Sequence, residues 1–353
     1  MNQNIDRLCG DSLFQLNLSI WLAQPKPKDF SIRPIFHEIG FTIYSIGLLI
    51  ALPPDIRLIV DNSNFEYQDA ARPDLILATA DRKRLCFLEC KRSSFGIAST
   101  ATEQARTLIL MTGPIVTEVM AIGRRGSAQG ILAYLTRKDQ MKDLERTLEA
   151  ISGEMTERKL ETGKHGCFGI GSNEKALLIE YSDEMKKIMN FGDNSPIEIL
   201  SIDKDTDPRP LYFIPYDPSV FNEQSEEERK ICRRILFERF LGQIVSKLGS
   251  SITPSDVVLT RIEILNSVTF DLYDVWDDNE AKKHIRSLLR DFMVSLMDDL
   301  DSDMKRLIEH DPQRGWVFKL DSPIRQEEMI KQICKFKPEG TDLSKDIPPE
   351  LFD

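Results

Sequence analysis

Between Pro73 and Lys91 three residues of the right type to do chemistry stand together: Asp74, Glu89 and Lys91 flank or end the apolar runs Leu-Ile-Leu-Ala-Thr and Leu-Cys-Phe-Leu. Burying such groups is costly, so their placement marks a candidate site. Alternate residues of a strand share a face, which turns Phe87, Glu89 and Lys91 one way and Cys86, Leu88 and Cys90 the other. An antiparallel neighbour beginning at Asp74 then brings a second carboxylate beside Glu89. Two close carboxylates repel unless a cation lies between them. Mg2+, with Mn2+ as a substitute, suits hard oxygen ligands and retains waters that can act as nucleophile. The carbonyl of Cys90 offers a third oxygen. The Lys91 amine is placed to orient or deprotonate an attacking water, or to neutralise charge on a phosphorane-like transition state. Together these groups suit metal-assisted hydrolysis of a phosphodiester.

The surrounding sequence must supply the strands. We expect strands over 57–60, 74–79 and 84–91, separated by polar turns that contain Asp61-Asn62-Ser63-Asn64 and Asp81-Arg82-Lys83. Upstream, residues 1–30 read as an N-terminal helix over 13–23 and a Pro-Lys linker. Ser31 suits the cap of a helix through Ile35, Phe36 and Ile39 that carries Glu38 and is expected to continue over 41–52. Downstream, a helix over 100–111 stops at Gly113-Pro114, then come a strand over 130–136, a helix over 138–151 and strands over 176–181 and 211–215. This order is an α/β or α+β core with a mixed central sheet, placed at 31–217. After Asp217-Pro218, helices over 226–248 and 279–310 and near 326–336 form a mainly helical domain, 218–353. Ile285, Leu288, Leu289, Phe292, Leu296, Met304 and Leu307 make one apolar stripe there.

Composition narrows the partners. The chain has 353 residues and 41% hydrophobic content, enough for a large core. Its net charge is -11, yet residues 70–140 hold eleven Lys and Arg against six Asp and Glu, and residues 266–310 reverse those numbers. A basic segment thus surrounds the three site residues, compatible with a polyanion at one face. The apolar stretch 39–54 is too short and too interrupted to span a bilayer, so no membrane is expected. Six cysteines without framework spacing and no N-terminal targeting segment lead us to expect a reduced, cytoplasmic setting.

Pro73-Asp74, fourteen intervening residues and Glu89-Cys90-Lys91 resemble the PD-(D/E)XK nuclease superfamily, which includes restriction endonucleases, Holliday junction resolvases and RecB-type exonucleases. The resemblance covers roughly 38–136, under a third of the chain. It implies a restriction endonuclease-like sheet flanked by helices, and a nuclease with Asp74, Glu89, the Cys90 carbonyl and Glu38 on the metal. Lys91 would be the catalytic lysine and Gln104 a supporting residue. Glu38 matches an additional metal-binding glutamate found on the helix before the sheet. Gln104 is similar to a glutamine of the RecB-like branch, but Leu108 stands where a tyrosine often follows, so the branch stays open. DNA is the expected substrate and restriction or anti-phage defence the role such a chain most often serves. Arg72, Arg92, Ser93, Ser94, Arg124 and Arg125 are candidate phosphate contacts. The C-terminal helices would bind a partner protein, a second copy or substrate. The alternative is a nuclease fold without turnover, acting as a nucleic-acid or protein interaction module.

Other signals carry less. Asp203 to Asp207 begins like a calcium loop, but Pro208 and Ile214 occupy positions that need glycine and glutamate. The glycine-rich run 163–172 lacks a Gly-Lys-Ser/Thr ending and is expected to be a loop. His165 and Cys167 lack a second ligand pair, and Cys86 and Cys90 fall on a packing face, so zinc is not expected.

Overall fold

The computed structural model describes residues 3–25, 32–63, 65–97, 99–124, 126–173, 175–192, 195–202, 212–216, 226–250, 256–311 and 314–337. Ser31, Arg125, Asp217, Pro218 and the Asp203–Asp207 run lie outside them. The chain divides into two compact units: Met1–Tyr212 with Asp217–Ser219 and Val275–Asp278, and Phe213–Tyr216 with Val220–Asp274 and Asn279–Asp353.

The first unit opens with α1 (Gln3–Cys9) and α2 (Ser12–Ala23). Asp11 caps α2 by accepting from the Phe14 amide at 2.8 Å, and every residue of α2 except Leu13 is buried. A helix covered on all sides belongs inside a fold, so the segment expected as a separate N-terminal piece lies within this unit. After α3 (Ile35–Glu38), a single turn, comes β1 (Phe41–Ile46), where we expected the helix to continue. The run Phe-Thr-Ile-Tyr-Ser-Ile favours a strand, and Gly40 and Gly47, both at positive φ, bracket it. Next follow β2 (Ile50–Ala51) and α4 (Pro54–Asn62). The strand expected over 57–60 is therefore helical. Pro54 starts it, and the Arg57 amide closes the first turn on the Pro53 carbonyl.

β3 (Ala70–Ala71), β4 (Leu75–Thr79), β5 (Arg84–Cys90), α5 (Thr100–Met111), α6 (Val116–Val119), β6 (Gln129–Arg137), α7 (Lys138–Glu157), β7 (Lys164–Ser172), β8 (Ala176–Tyr181), α8 (Asp183–Met189) and β9 (Ile197–Ser201) complete the unit. Seven strands form one mixed sheet in the order β1-β4-β5-β6-β7-β8-β9. β5, β6 and β7 run parallel, while β1/β4, β4/β5, β7/β8 and β8/β9 pair antiparallel. Parallel β5 and β6 require a crossover, and α5 lies within it. One face of the sheet packs Ile76, Phe87, Leu132 and Tyr134 against Leu108 and Ile109 of α5 and Leu144 and Leu148 of α7. On the other face α2 and α3 pack on β1, and α8 on β7.

The glycine-rich run expected as a loop is β7. A Cβ at Gly166 would come within 3.1 Å of Met185 Cβ, and one at Gly169 within 3.0 Å of Lys138 Cα. The glycines there let helices approach both faces of the strand. Residues 212–216 hold no strand, against expectation, and β9 was not foreseen.

The second unit contains α9 (Glu226–Gly249), β10 (Val257–Leu259), α10 (Arg261–Val268), α11 (Asn279–Asp299), α12 (Ser302–Lys305), β11 (Ile308–Asp311), β12 (Gly315–Phe318) and α13 (Pro323–Lys335). Phe292 packs edge-on against Phe237 and Phe336 in its core. The helix expected to reach residue 310 ends at Asp299, because Asp301 accepts from the amides of Asp303 and Met304 and starts α12. A three-stranded antiparallel sheet, β10-β12-β11, follows from this break, so the unit is less purely helical than expected. Among the described residues no helix is long and apolar enough to cross a membrane.

Candidate active site

Asp74 lies just before β4, and Glu89 near the end of β5. Leu75 pairs with Leu88, so one step further along this antiparallel register sets Asp74 opposite Glu89. Ile76 and Phe87 belong to the core under α5 and α7, which fixes Asp74 and Glu89 to the same face by alternation. Each is only 1% exposed. The Cys90 amide donates to Asp74 Oδ2 at 2.7 Å. In an extended strand a residue's amide and carbonyl face the same neighbour, so the Cys90 carbonyl is turned to Asp74's strand as well.

Lys91 Nζ lies 3.1 Å from Glu89 Oε2, with 24% of its side chain exposed. Gln104, on α5, spans the pair: its Oε1 accepts from Lys91 Nζ and its Nε2 donates to Glu89 Oε1, both at 3.4 Å. Burial disfavours charge on Lys91, but the Glu89 and Asp74 carboxylates outweigh it and hold its pKa above the ordinary lysine value. The amine is thus an ammonium at neutral pH. Of the roles expected for it, charge neutralisation and orientation suit this state, and deprotonation of a water does not.

Comparison with protein-family models, curated proteins and solved structures finds no match to this chain. Its site must be read from its own geometry.

Not every expected residue reaches the site. Glu38 precedes β1, whose Phe41 pairs with Thr79 at the far end of β4, five residues from Asp74. At ~3.4 Å per residue, Thr79 and Phe41 beside it lie roughly 17 Å from Asp74 along the sheet. Glu38 pairs instead with Arg33 at 2.9 Å in water. The one-turn α3 feeds straight into β1, and strand direction then carries Glu38 away from Asp74, correcting its assignment as a metal ligand. Arg124 belongs to the loop before β6, and β6 enters beside Arg84 at the start of β5, again the far end. Arg72 is held 2.6 Å from Asp278, which is 5% exposed on its side chain, so it serves an internal ion pair rather than an open phosphate site. Arg92, Ser93 and Ser94 follow Lys91 directly. The first two are exposed, and Ser94 Oγ bonds Gln140 Oε1 at 3.0 Å.

Three residues were missed. Gln15 of α2 is fully buried, and its Nε2 donates to the Lys91 carbonyl at 3.1 Å and the Cys9 carbonyl at 2.7 Å. A glutamine in a helix whose other polar residues are only Ser12, Asn17 and Ser19, with no charge, was the available signal. Tyr134 is the register partner of Glu89 across β5 and β6. Gln140 orders the loop after Lys91. Neither of these could be placed without the strand pairing.

Among the described residues no group of three or more His, Cys, Asp or Glu side chains forms a metal cluster. The candidate donor set is two buried carboxylates and a backbone carbonyl. All three are hard oxygens, and the Asp74–Glu89–Lys91 cluster has one more carboxylate than ammonium. This chemistry fits a small divalent cation that keeps several waters.

Proposed function

We propose that the first unit is a metal-dependent nuclease of PD-(D/E)XK type that hydrolyses phosphodiester bonds, with DNA as the substrate. The observation that carries the reading is the apposition of Asp74 and Glu89, each 1% exposed on one face, with Lys91 ion-paired at 3.1 Å. The mixed sheet flanked by helices supports a restriction endonuclease-like fold for the unit.

Asp74, Glu89 and the Cys90 carbonyl would hold Mg2+ or Mn2+, which when bound polarises a phosphoryl oxygen and supplies an activated water. Lys91, as an ammonium, stabilises charge that develops on the phosphate oxygens. Gln104 keeps Lys91 and Glu89 in register with each other, and Gln15 anchors the backbone of Lys91. Arg92 and Ser93, exposed beside the site, suit contacts to the flanking phosphates. The second unit would make partner, oligomer or substrate contacts.

The reading is tested by incubating the protein with supercoiled, linear and single-stranded DNA and with RNA, in Mg2+, Mn2+ or EDTA, beside Asp74→Ala and Lys91→Ala. We expect cleavage that needs the metal and both side chains. Cleavage that persists in EDTA or survives either substitution removes the assignment.

A further inference from the structure

Tyr134 sits on β6 directly beside Glu89 in the parallel pairing of β5 and β6. Register partners of neighbouring strands share a face and lie about 4.8 Å apart, so the two side chains rise together under α5. Tyr134 is 0% exposed and belongs to the core that contains Phe87 and Leu108. Its ring lies against Phe95 of the loop after Lys91, centroids 5.8 Å apart. Its hydroxyl is buried yet has no hydrogen-bond partner within the described structure. Phenylalanine would fill the same core space without burying a polar atom.

Burial, and then the negative charge of the Glu89 carboxylate, raise the phenol above its ordinary pKa. The hydroxyl therefore stays protonated and is a donor. Buried hydroxyls are nearly always satisfied, and a polar pair beyond direct reach is commonly joined by one enclosed water. Of the groups around Tyr134, Glu89 best matches a neutral donor, being a buried carboxylate on the adjoining strand.

We propose that Tyr134 is a positioning residue for the candidate site: its hydroxyl fixes the Glu89 carboxylate through an enclosed water and so sets the geometry in which Glu89 meets a divalent cation. The inference rests on the nuclease reading for the cation and adds a residue outside the Pro-Asp and Glu-x-Lys pattern. Removing such an outer partner of a ligand weakens metal affinity by roughly tenfold or more.

The test is Mg2+ binding by calorimetry to wild-type protein and Tyr134→Phe, with urea unfolding of the metal-free proteins alongside. Tyr134→Phe removes one oxygen and keeps the ring against Phe95, so the fold is retained. The expected result is Mg2+ affinity lower by about tenfold in Tyr134→Phe, with an unfolding midpoint close to wild type. A role in packing alone would leave the affinity unchanged. Equal affinity in the two proteins overturns the role of Tyr134 and leaves the nuclease reading standing. A wild-type protein that binds no Mg2+ overturns both.

Discussion

At one end of the seven-stranded sheet Asp74 and Glu89 are each 1% exposed and Lys91 is ion-paired to Glu89; at the other, Glu38 and Arg33 pair with 41% and 53% of their side chains in water. Asp81 and Lys83, also at that far end, are more exposed still. Similar residue types thus serve two purposes. In water a pair gains little, because screening and side-chain ordering nearly cancel the attraction. Inside the fold, removing one partner leaves a charge without compensation, so a buried cluster must be held as a set. Burial separates a site from a decorated edge, and the register of β1, β4 and β5 decides which residues fall at which end.

Breaking the buried end is expected to have the largest effect. Lys91→Met leaves Glu89 without its ammonium and should lower metal-free stability by about 3 kcal/mol, measured by urea unfolding in EDTA. Mg2+ should restore part of that loss. Asp74→Ala removes the acceptor for the Cys90 amide and should destabilise by roughly 2 kcal/mol in the same measurement, while abolishing cleavage. A loss as small as that of an exposed pair would place Asp74 with the far-end charges.

The comparison sharpens with pH. The folded pKa of Lys91 lies above its ordinary value of 10.5, so the ion pair contributes in full below 10.5 and is lost as pH rises through the higher folded value. The urea midpoint of wild type minus that of Lys91→Met should therefore be constant from pH 7 to pH 10 and shrink at higher pH. The smallest effect belongs to the exposed end: Glu38→Gln should change stability by less than about 1 kcal/mol and leave cleavage intact. A strong loss of cleavage in Glu38→Gln would return that residue to the site.

Much of the buried end was legible because strands leave a period of two. Phe87 and Glu89 against Cys86, Leu88 and Cys90 could be divided between faces before any fold was known, and the helix over 100–111 that carries Gln104 was bounded by Gly113-Pro114. The segment 41–52 was misread as helix because a run apolar on every side has no period to distinguish helix from strand. The positive φ values of Gly40 and Gly47 that bracket β1 belong to the backbone rather than the hydropathy pattern. Leu58, Ile59 and Val60 resembled a strand, and the Pro53-Pro54 start overrode them. Glu38 went astray for a different reason: nearness in sequence says nothing about which end of a sheet a residue reaches. Tyr134 meets Glu89 across forty-five positions through a parallel pairing, a relation that no local spacing encodes.

Cleavage of supercoiled DNA at saturating Mg2+ by wild type, Asp74→Asn and Glu38→Gln, run side by side, tests the central claim most directly. Asp74→Asn keeps the shape of the buried residue and an oxygen able to accept from the Cys90 amide, and replaces the second carboxylate oxygen and its charge by a neutral NH2. The account predicts equal cutting by wild type and Glu38→Gln and none by Asp74→Asn. Cutting by Asp74→Asn at the wild-type rate would contradict it.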